Sequence, residues 1–471
     1  MPAASDITRA RLEKLRAFYD AAPTAPNRAS RGYRGLLAHY YNLLIPADAS
    51  VLEVGCGSGE LLSRLKVARK TGIDLSTIQI EAARLRVPEG KFHVQAGELA
   101  ELHEQFDVII ISDTLNLAAD VQLLLEQLQQ AAHPGTRLII NFQNSLWRPG
   151  LTLARWLGLK SPQPESSWLA SSDVLNLLQL AGWSPICRQS RLLLPIPIPV
   201  LATFLNRWVA PLAQWFCLTV FIVARPSRPS PQPRTVSVVI PARNEAGNIA
   251  AAVSRTPDMG AGTELIFVEG HSRDNTWAEI QRVAQENPRR KIKVMQQTGR
   301  GKGDAVRLGF AAATGDILMI LDADLTMPPE DLPKFYEVLA SGRAEFANGV
   351  RLVYPMDEEA MQFLNLCANK IFGLIFTWLL GQPVKDTLCG TKVLSRAHYE
   401  EIAANRAYFG DFDPFGDFDL LFGAAKLNLK IADVPIRYRQ RTYGTTNIQR
   451  WSHGWLLLRM VAFAARKLKF V

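Results

Sequence analysis

Gly315-Asp316-Ile317-Leu318-Met319-Ile320-Leu321-Asp322-Ala323-Asp324-Leu325-Thr326 is the stretch that decides how this chain is read. Ile317–Leu321 is an unbroken apolar run of the length of a buried strand, and Asp322 and Asp324 follow it at spacing i, i+2. Residues two apart in a strand share a face, so both carboxylates are expected to point into one crevice at the sheet's carboxyl edge. Two aligned acids there make half a coordination shell for a hard divalent cation, Mg²⁺ or Mn²⁺, that also grips phosphate oxygens. The competing use is to cap a helix starting at Pro328-Pro329. A D-x-D triplet is common by chance. One that ends an apolar strand preceded by Thr314-Gly315-Asp316 is far more specific.

Three other segments extend the pattern. Val236–Ile240 is a β-branched strand that breaks at Pro241 and runs into Arg243-Asn244-Glu245-Ala246-Gly247-Asn248-Ile249. Glu264–Val268 is a second strand, ending in Glu269-Gly270-His271-Ser272-Arg273-Asp274-Asn275-Thr276. Thr298-Gly299-Arg300-Gly301-Lys302-Gly303-Asp304-Ala305 is a basic, glycine-rich opening to a helix, suited to a phosphate chain. In this order the four motifs resemble family-2 glycosyltransferases of the GT-A fold, from about Thr235 to the C-terminus.

Within that superfamily the chain looks most like dolichyl- or polyprenyl-phosphate sugar synthases. The residues behind this are Asp386-Thr387-Leu388-Cys389-Gly390, Asp417-Phe418-Asp419, and Val434-Pro435-Ile436-Arg437-Tyr438-Arg439-Gln440-Arg441. The resemblance implies a nucleotide-sugar site formed by Pro241, Arg243, Glu245, Glu269, Lys302 and Asp322. It implies metal ligands Asp322 and Asp324, acceptor contacts from Asp386, Arg437, Arg439 and Arg441, and inversion at the anomeric carbon. A hydroxyl acceptor would need Asp417 or Asp419 as general base. A polyprenyl phosphate would need no strong base, and the three arginines would bind its charge. Two departures stand out: Glu269-Gly270 replaces the usual paired acids, and Asp417/Asp419 stand where an Asp/Glu pair is usual.

The N-terminal half carries a second nucleotide-type pattern. Ser50-Val51-Leu52-Glu53-Val54-Gly55-Cys56-Gly57-Ser58-Gly59 reads as strand, glycine turn and helix, and Gly72-Ile73-Asp74 ends the next strand about 20 residues on, where a ribose diol is held. The third-glycine spacing of a dinucleotide fingerprint is absent. With Phe92–Glu98, Phe106–Asp113 and His133–Ile140, the pattern resembles class I S-adenosylmethionine-dependent methyltransferases from about Tyr33 to Arg225. By that resemblance Gly55 and Gly57 contact S-adenosylmethionine, Glu53 anchors its methionine end, Asp74 takes the ribose, and Glu98 lies near the adenine. Glu98 replaces a more usual Asp, and Leu117 stands where a His is common. The alternative is a cofactor-fold scaffold without turnover.

The chain has 471 residues, room for roughly two to four domains. Its 48% apolar and 21% charged residues describe a globular protein with ample core. A net charge of +9 favours anionic partners such as nucleotide phosphates and acidic headgroups. No aromatic-basic RNA-binding signature accompanies it, so nucleic acid is not expected. Cys56, Cys187, Cys217, Cys367 and Cys389 show no C-x-x-C spacing, which suits a reducing cytoplasm and argues against zinc. The first 20 residues are charged and lack the apolar core of a signal peptide. Arg225–Arg234 packs four prolines into ten residues, a semi-rigid linker. The expected organisation is an N-terminal helical segment (1–32), a Rossmann-like, seven-stranded α/β methyltransferase domain (33–225), a linker (226–234) and a GT-A domain (235–471).

Membrane contact has to come from amphipathic segments, because no apolar run reaches the roughly 18 residues of a span. Met361–Leu380 carries a polar stripe (Gln362, Asn365, Asn369, Lys370, Gly373, Thr377) and a wide aromatic face, as in either a core helix or an interfacial one. Trp455–Val471 sets Arg459, Arg466, Lys467 and Lys469 beside apolar residues, which suits an anionic leaflet. Leu192–Phe216, with Trp208 and Trp215, is expected to connect the last two methyltransferase strands, with Cys217–Ala224 the closing strand. Asp411 cannot open a calcium loop, since Phe415 and Phe422 fall where oxygen ligands are needed. Asn447–Trp451 nearly matches the Q-x-x-R-W of processive polysaccharide synthases, and is read as coincidence or acceptor-site chemistry. The expectation is a bifunctional transferase, peripheral on the inner face of the cytoplasmic membrane. It would act on a nucleotide-sugar and a polyprenyl-phosphate or glycan acceptor in building a bacterial cell-surface glycan.

Overall fold

The computed structural model describes residues 6–25, 28–156, 164, 167, 169–196, 198, 200–227, 233–351, 353, 363–406, 417–441, 443 and 450–471. The chain divides into two compact units, Met1–Ser227 with Phe470, and Arg228–Lys469 with Val471.

The first unit is built on strands β1 (Ser50–Val54), β2 (Arg69–Asp74), β3 (Lys91–Val94), β4 (Phe106–Ser112), β5 (Ala132–Gln143), β6 (Trp183–Arg191) and β7 (Thr219–Pro226). Their order is β3-β2-β1-β4-β5-β7-β6, with β1 to β5 parallel and β7 antiparallel to both neighbours. All of β1 and almost all of β4 are buried, as unbroken apolar strands covered on both faces should be. Leu52, Val54, Ile109, Ile111, Leu138, Ile140 and Trp183 form the core, and the Trp183 indole N–H is satisfied by the Leu125 carbonyl at 2.8 Å. The expected linker start, Pro226, still belongs to β7, paired with Trp183.

Two helices precede this sheet, Asp6–Asp20 and Arg28–Leu44. The second runs through residue 33, where the sequence placed a boundary. The first is tied to the sheet's loops, since Ser76 Oγ donates to Asp20 Oδ1 at 2.6 Å. Leu192–Phe216 does connect β6 to β7. Strand order reverses between β1 and β4, so their carboxyl ends flank the crevice where ligands bind in such sheets.

The second unit holds β8 (Val236–Ala242), β9 (Thr263–Glu269), β10 (Lys291–Gln296), β11 (Ile317–Ile320), β12 (Phe346–Val350), β13 (Lys392–Ser395) and β14 (Ile431–Pro435), ordered β10-β9-β8-β11-β13-β12-β14. β8 to β11 are parallel, and β13 runs antiparallel between β11 and β12. Val238, Ile240, Leu265, Phe267, Met319, Leu321 and Phe335 pack as its core. Here the order reverses between β8 and β11, which puts Asp322 and Asp324 at the second crevice.

Helix Phe363–Leu380 buries residues of both kinds: Phe376, Leu379 and Leu380 of its apolar face, and Asn369 of its polar stripe, while Lys370 of that stripe is exposed. Asn369, from the polar stripe, is buried and donates to Asp386 Oδ1 at 3.1 Å, and Thr377 Oγ1 donates to the Val384 carbonyl at 3.2 Å. Ile371 and Leu374 are exposed, while Phe376 is buried and stacks on Phe422 at 5.4 Å. Helix Arg450–Leu468 packs against it. Lys469, expected to face a leaflet, is instead buried with its Nζ 5.9 Å from the Trp378 ring centre, because the aromatic face offers a cation–π contact. No helix among the described residues is long and apolar enough to cross a membrane.

Candidate functional sites

In the second unit the chain leaves β8 through Asn244, held at φ 57°. Its side chain accepts from the Arg273 amide at 2.7 Å, which fixes this left-handed turn. The turn sets Glu245 in the crevice, buried, with its amide on Thr276 Oγ1 at 2.9 Å and its Oε2 accepting from Asn248 Nδ2 at 2.7 Å. Arg441, on the segment after β14, bridges two acids: Nη1 reaches Glu245 Oε1 at 3.0 Å, and Nη2 reaches Asp324 Oδ2 at 2.6 Å. Burial pushes the Glu245 carboxyl up to about 7, against the pull of Arg441 and Asn248. Asp322 pairs with Lys302 Nζ at 2.7 Å, at the start of helix Lys302–Ala312. A Cβ at Gly390 would overlap the ends of both side chains of that pair, so a larger residue there would shift them.

Neither acid is bonded to the helix turn that starts at Pro329, since Asp322 is held by Lys302. Asp324 Oδ1 instead accepts from the amide and hydroxyl of Thr326, at 3.1 and 2.8 Å. Two carboxylates, each neutralised by one cation of the chain, are a hard-oxygen donor set. Such a set fits a divalent cation that takes the rest of its shell from phosphate and water.

The other expected residues are spread around this centre. Glu269 ends β9, buried. Burial works against its charge, but donors from Ser272 (amide, 2.5 Å) and Gln296 (3.2 Å) hold its carboxyl below the usual range. Pro241 is half-buried in β8, and Arg243 is exposed just beyond it. Of the three arginines only Arg441 turns inward. Arg437 and Arg439 are exposed, although the Arg439 amide donates to the Thr326 carbonyl at 2.9 Å beside the Asp324 turn.

Asp386 does not line an open acceptor site. It is fully buried and takes Arg351 Nε at 2.7 Å, Arg351 Nη2 at 2.9 Å, and the Arg351 amide, Asn369 and the Leu388 amide at 3.1 Å each. Burial opposes its charge, and Arg351 more than compensates, holding the carboxyl below its ordinary value. Five donors leave it no room for an acceptor; it fixes the wall of the site. Arg351, which no motif singled out, is the cation it holds. Asp419 is buried on helix Asp417–Lys426, 2.8 Å from Arg406 Nε and 3.8 Å from Arg307 Nη2. The side chain of Asp417 lies outside the described residues, as do positions 407–416 and 444–449, with the acidic loop and most of Asn447–Trp451.

In the first unit Gly55 and Gly57 adopt φ 71° and 52°, conformations that side chains rarely hold. A Cβ at Gly57 would meet nothing within 4 Å, so bare backbone faces open space there. The Gly57 amide donates to Asp74 Oδ2 at 2.8 Å and the Ser76 amide to Oδ1 at 2.9 Å, locking the turn to the end of β2. Asp74 is pushed above its ordinary value by burial, with these amides pulling it down. Glu53 is buried, and its Oε2 has no hydrogen-bond partner. Burial pushes its carboxyl up to about 8, with the Arg34 guanidinium opposing. Glu98, also buried and raised by burial, accepts from the Ala119 amide at 2.7 Å.

Around Glu53 and Asp74 lie Tyr33 and Arg34, which sequence patterns did not reveal, and Asp113, which they quoted without giving it a role. Arg34 Nη1 donates to Ser112 Oγ at 3.0 Å, and Tyr33 and Asn141 donate to Asp113 Oδ1 at 3.3 and 2.9 Å. Asp113 sits at φ 55° directly after β4. Its place at a strand end was a usable signal. Tyr33 and Arg34 gave none, since their partners lie about 80 residues away along the chain.

The family model "Glycosyl transferase family 2" matches residues 237–403, and the model "Methyltransferase domain" matches residues 28–187. The dolichol-phosphate mannosyltransferase of Pyrococcus furiosus is 32% identical over 45% of this chain and 59% of its own length. The undecaprenyl-phosphate 4-deoxy-4-formamido-L-arabinose transferase of Pectobacterium carotovorum is 34% identical over 45% of this chain and 62% of its own. The chain spans 40 to 59% of the first three relatives it matches. Similar solved structures include a SAM-dependent methyltransferase from Thermotoga maritima (17% identical, 41% of this chain and 90% of that one, TM-score 0.32). Another is the M. tuberculosis glucosyl-3-phosphoglycerate synthase (23% identical, 50% and 81%, TM-score 0.35). This chain therefore joins a methyltransferase domain, at 28–187, to a family 2 glycosyltransferase domain, at 237–403.

Proposed function

We propose that the second unit transfers a sugar from a nucleotide-sugar to a polyprenyl phosphate at the inner membrane surface, and that the first unit binds S-adenosylmethionine and transfers its methyl group. The observation that carries the first part is the meeting of Glu245, Lys302, Asp322, Asp324 and Arg441 at the β8/β11 switch point. Asp322 and Asp324 would hold Mg²⁺ or Mn²⁺, which when bound supplies positive charge to the departing diphosphate. Lys302, at a helix start, would take a phosphate oxygen, and Glu269 with Pro241 and Arg243 would hold the nucleoside. The acceptor oxygen attacks the anomeric carbon from the face opposite the diphosphate, inverting it.

A phosphate acceptor suits this site better than a glycan hydroxyl. Asp419 is engaged by Arg406 at 2.8 Å, so taking a proton would compete with that pair. Arg437 and Arg439, both exposed, offer guanidinium groups for an anion instead, while Arg441 is held by Glu245 and Asp324. The exposed Ile371 and Leu374 on helix Phe363–Leu380 suit a site that works beside lipid. Purified protein, given a panel of nucleotide-sugars with polyprenyl phosphate or a soluble glycan, should form a lipid-linked sugar only when Mg²⁺ or Mn²⁺ is present. Transfer that survives chelation, or that reaches the glycan alone, would defeat this reading.

For the first unit, the unpartnered Glu53 oxygen, the open backbone at Gly57 and the acid at Asp74 fit the amine, the methionine chain and the ribose diol of S-adenosylmethionine. Calorimetric titration of S-adenosylmethionine into the full chain tests this, and no binding would reduce the unit to a scaffold.

A further inference from the structure

The first unit carries an apolar surface that neither reaction needs. It is built on two loops leaving the sheet at one point, since Thr219 of β7 is in register with both Gln143 at the end of β5 and Arg191 at the end of β6. The loops are stitched together there. Asn144 Nδ2 donates to the Trp215 carbonyl at 3.0 Å, and the Trp147 indole N–H to the Phe216 carbonyl at 2.8 Å. Beyond the stitches large side chains face solvent: Trp156 (83% exposed), Trp215 (79%), Leu212 (72%) and Phe216 (66%), with Val200 and Phe204 beside them in sequence. Two loops bonded to each other and carrying this many exposed large apolar side chains mark a protein or membrane contact.

Charge decides between those occupants. From Val174 to Ser227 the chain has no acidic residue and four arginines. Arg148 and Arg207 are exposed on these loops and Arg188 on strand β6, and Arg207 lies 5.5 Å from the Trp208 ring centre. Tryptophans with arginines and no acids suit the boundary between headgroups and acyl chains of an anionic leaflet. The same point of the sheet borders the cofactor crevice, because Tyr33 contacts both Thr219 Oγ1 (3.2 Å) and Asp113 (3.3 Å).

We infer that the face carrying Trp147, Trp156, Phe204, Leu212, Trp215 and Phe216 docks the first unit on an anionic bilayer, turning the Asp113 edge of its crevice toward groups carried by lipid. This inference rests on the first unit's own surface and not on sugar transfer, so either can fail without the other. Flotation of the full chain with vesicles of phosphatidylcholine and phosphatidylglycerol tests it. Leu212→Glu/Trp215→Glu should weaken flotation roughly tenfold or more, since two exposed apolar anchors become charges. Trp156→Glu, on the other loop, should weaken it as well. Ile371→Glu/Leu374→Glu, on the second unit, should leave most of the binding in place. Three results would overturn the inference: a Leu212→Glu/Trp215→Glu chain that floats like the parent, loss of binding from the second-unit pair alone, or a parent dimer that these first-unit changes make monomeric while flotation is unaltered. The last would assign the face to a second copy of the chain.

Discussion

Arg441 Nη2 stands 2.6 Å from Asp324 Oδ2, on the carboxylate that a divalent cation would share with Asp322. Its Nη1 holds Glu245 at 3.0 Å, so one guanidinium offsets two acids while Lys302 offsets the third. The chain's own cations thus neutralise the site, and a metal entering it must displace them or share with them.

Removing the guanidinium should therefore ease metal entry. Arg441→Gln is expected to tighten Mn²⁺ binding several-fold in the absence of any donor, as for a partly exposed ion pair worth about 1 kcal/mol. Titration followed by Mn²⁺ paramagnetic resonance reads this directly. Unchanged or weaker binding would show that Arg441 supports the metal site rather than competing with it.

Asp324→Ala should lower sugar transfer by on the order of a hundredfold or more, as when one electrostatic contact to developing charge is lost. S-adenosylmethionine affinity should stay at the parent value, because Asp74 and Glu53 belong to the other unit. Parallel loss in a folded protein would mean that the two sites are coupled.

Gly390→Ala tests the packing of the site rather than its charge. The new methyl group would overlap Asp322 Oδ2 and Lys302 Nζ and force that pair apart. Because the overlap is with the movable ends of two partly exposed side chains, the expected result is a folded protein of near-parent thermal stability with reduced sugar transfer. Full activity would show that the pair opens freely.

Asp74→Asn should weaken S-adenosylmethionine binding by roughly 1.5–3 kcal/mol, the range for hydrogen bonds to a charged group. An added cost is expected because Asp74 also holds the Gly57 and Ser76 amides. Calorimetry decides, and an unchanged affinity would remove Asp74 from the ribose site.

Much of this was legible in the chain. Ile317–Leu321 followed by two acids announced a strand end, and the glycines at 55, 57 and 59 announced a turn, because both depend on local backbone geometry, although only the short 3-10 turn Leu62–Arg64 follows where a helix was expected. Asp386 was misread for the opposite reason. Whether a carboxylate faces a ligand or is filled by its own protein depends on Arg351 and Asn369, which only tertiary packing brings to it. Helix Phe363–Leu380 shows the same limit. Its stripe of polar residues was plain, but the periodicity cannot say which face turns inward, and here Asn369 goes in while Ile371 and Leu374 go out.

Glu53 gives the first unit a pH signature. Burial lifts its carboxyl from an ordinary 4.5 to about 8, so the folded chain binds that proton more tightly than the unfolded one. The sign follows: the stability it contributes is complete below about pH 4.5 and is lost as pH rises through about 8. Glu53→Gln should remove that loss, making the variant's first-unit transition relatively more stable at alkaline pH, by on the order of 1–3 kcal/mol. Ligand binding should run against the same equilibrium. An ammonium group beside the unpartnered Glu53 oxygen favours the carboxylate, so S-adenosylmethionine should expel a proton on binding near neutral pH. Calorimetric enthalpies measured in buffers of different ionisation heat would reveal that proton in the parent and not in Glu53→Gln. Identical enthalpies across buffers for the parent would mean that Glu53 is already ionised, or that it never meets the amine.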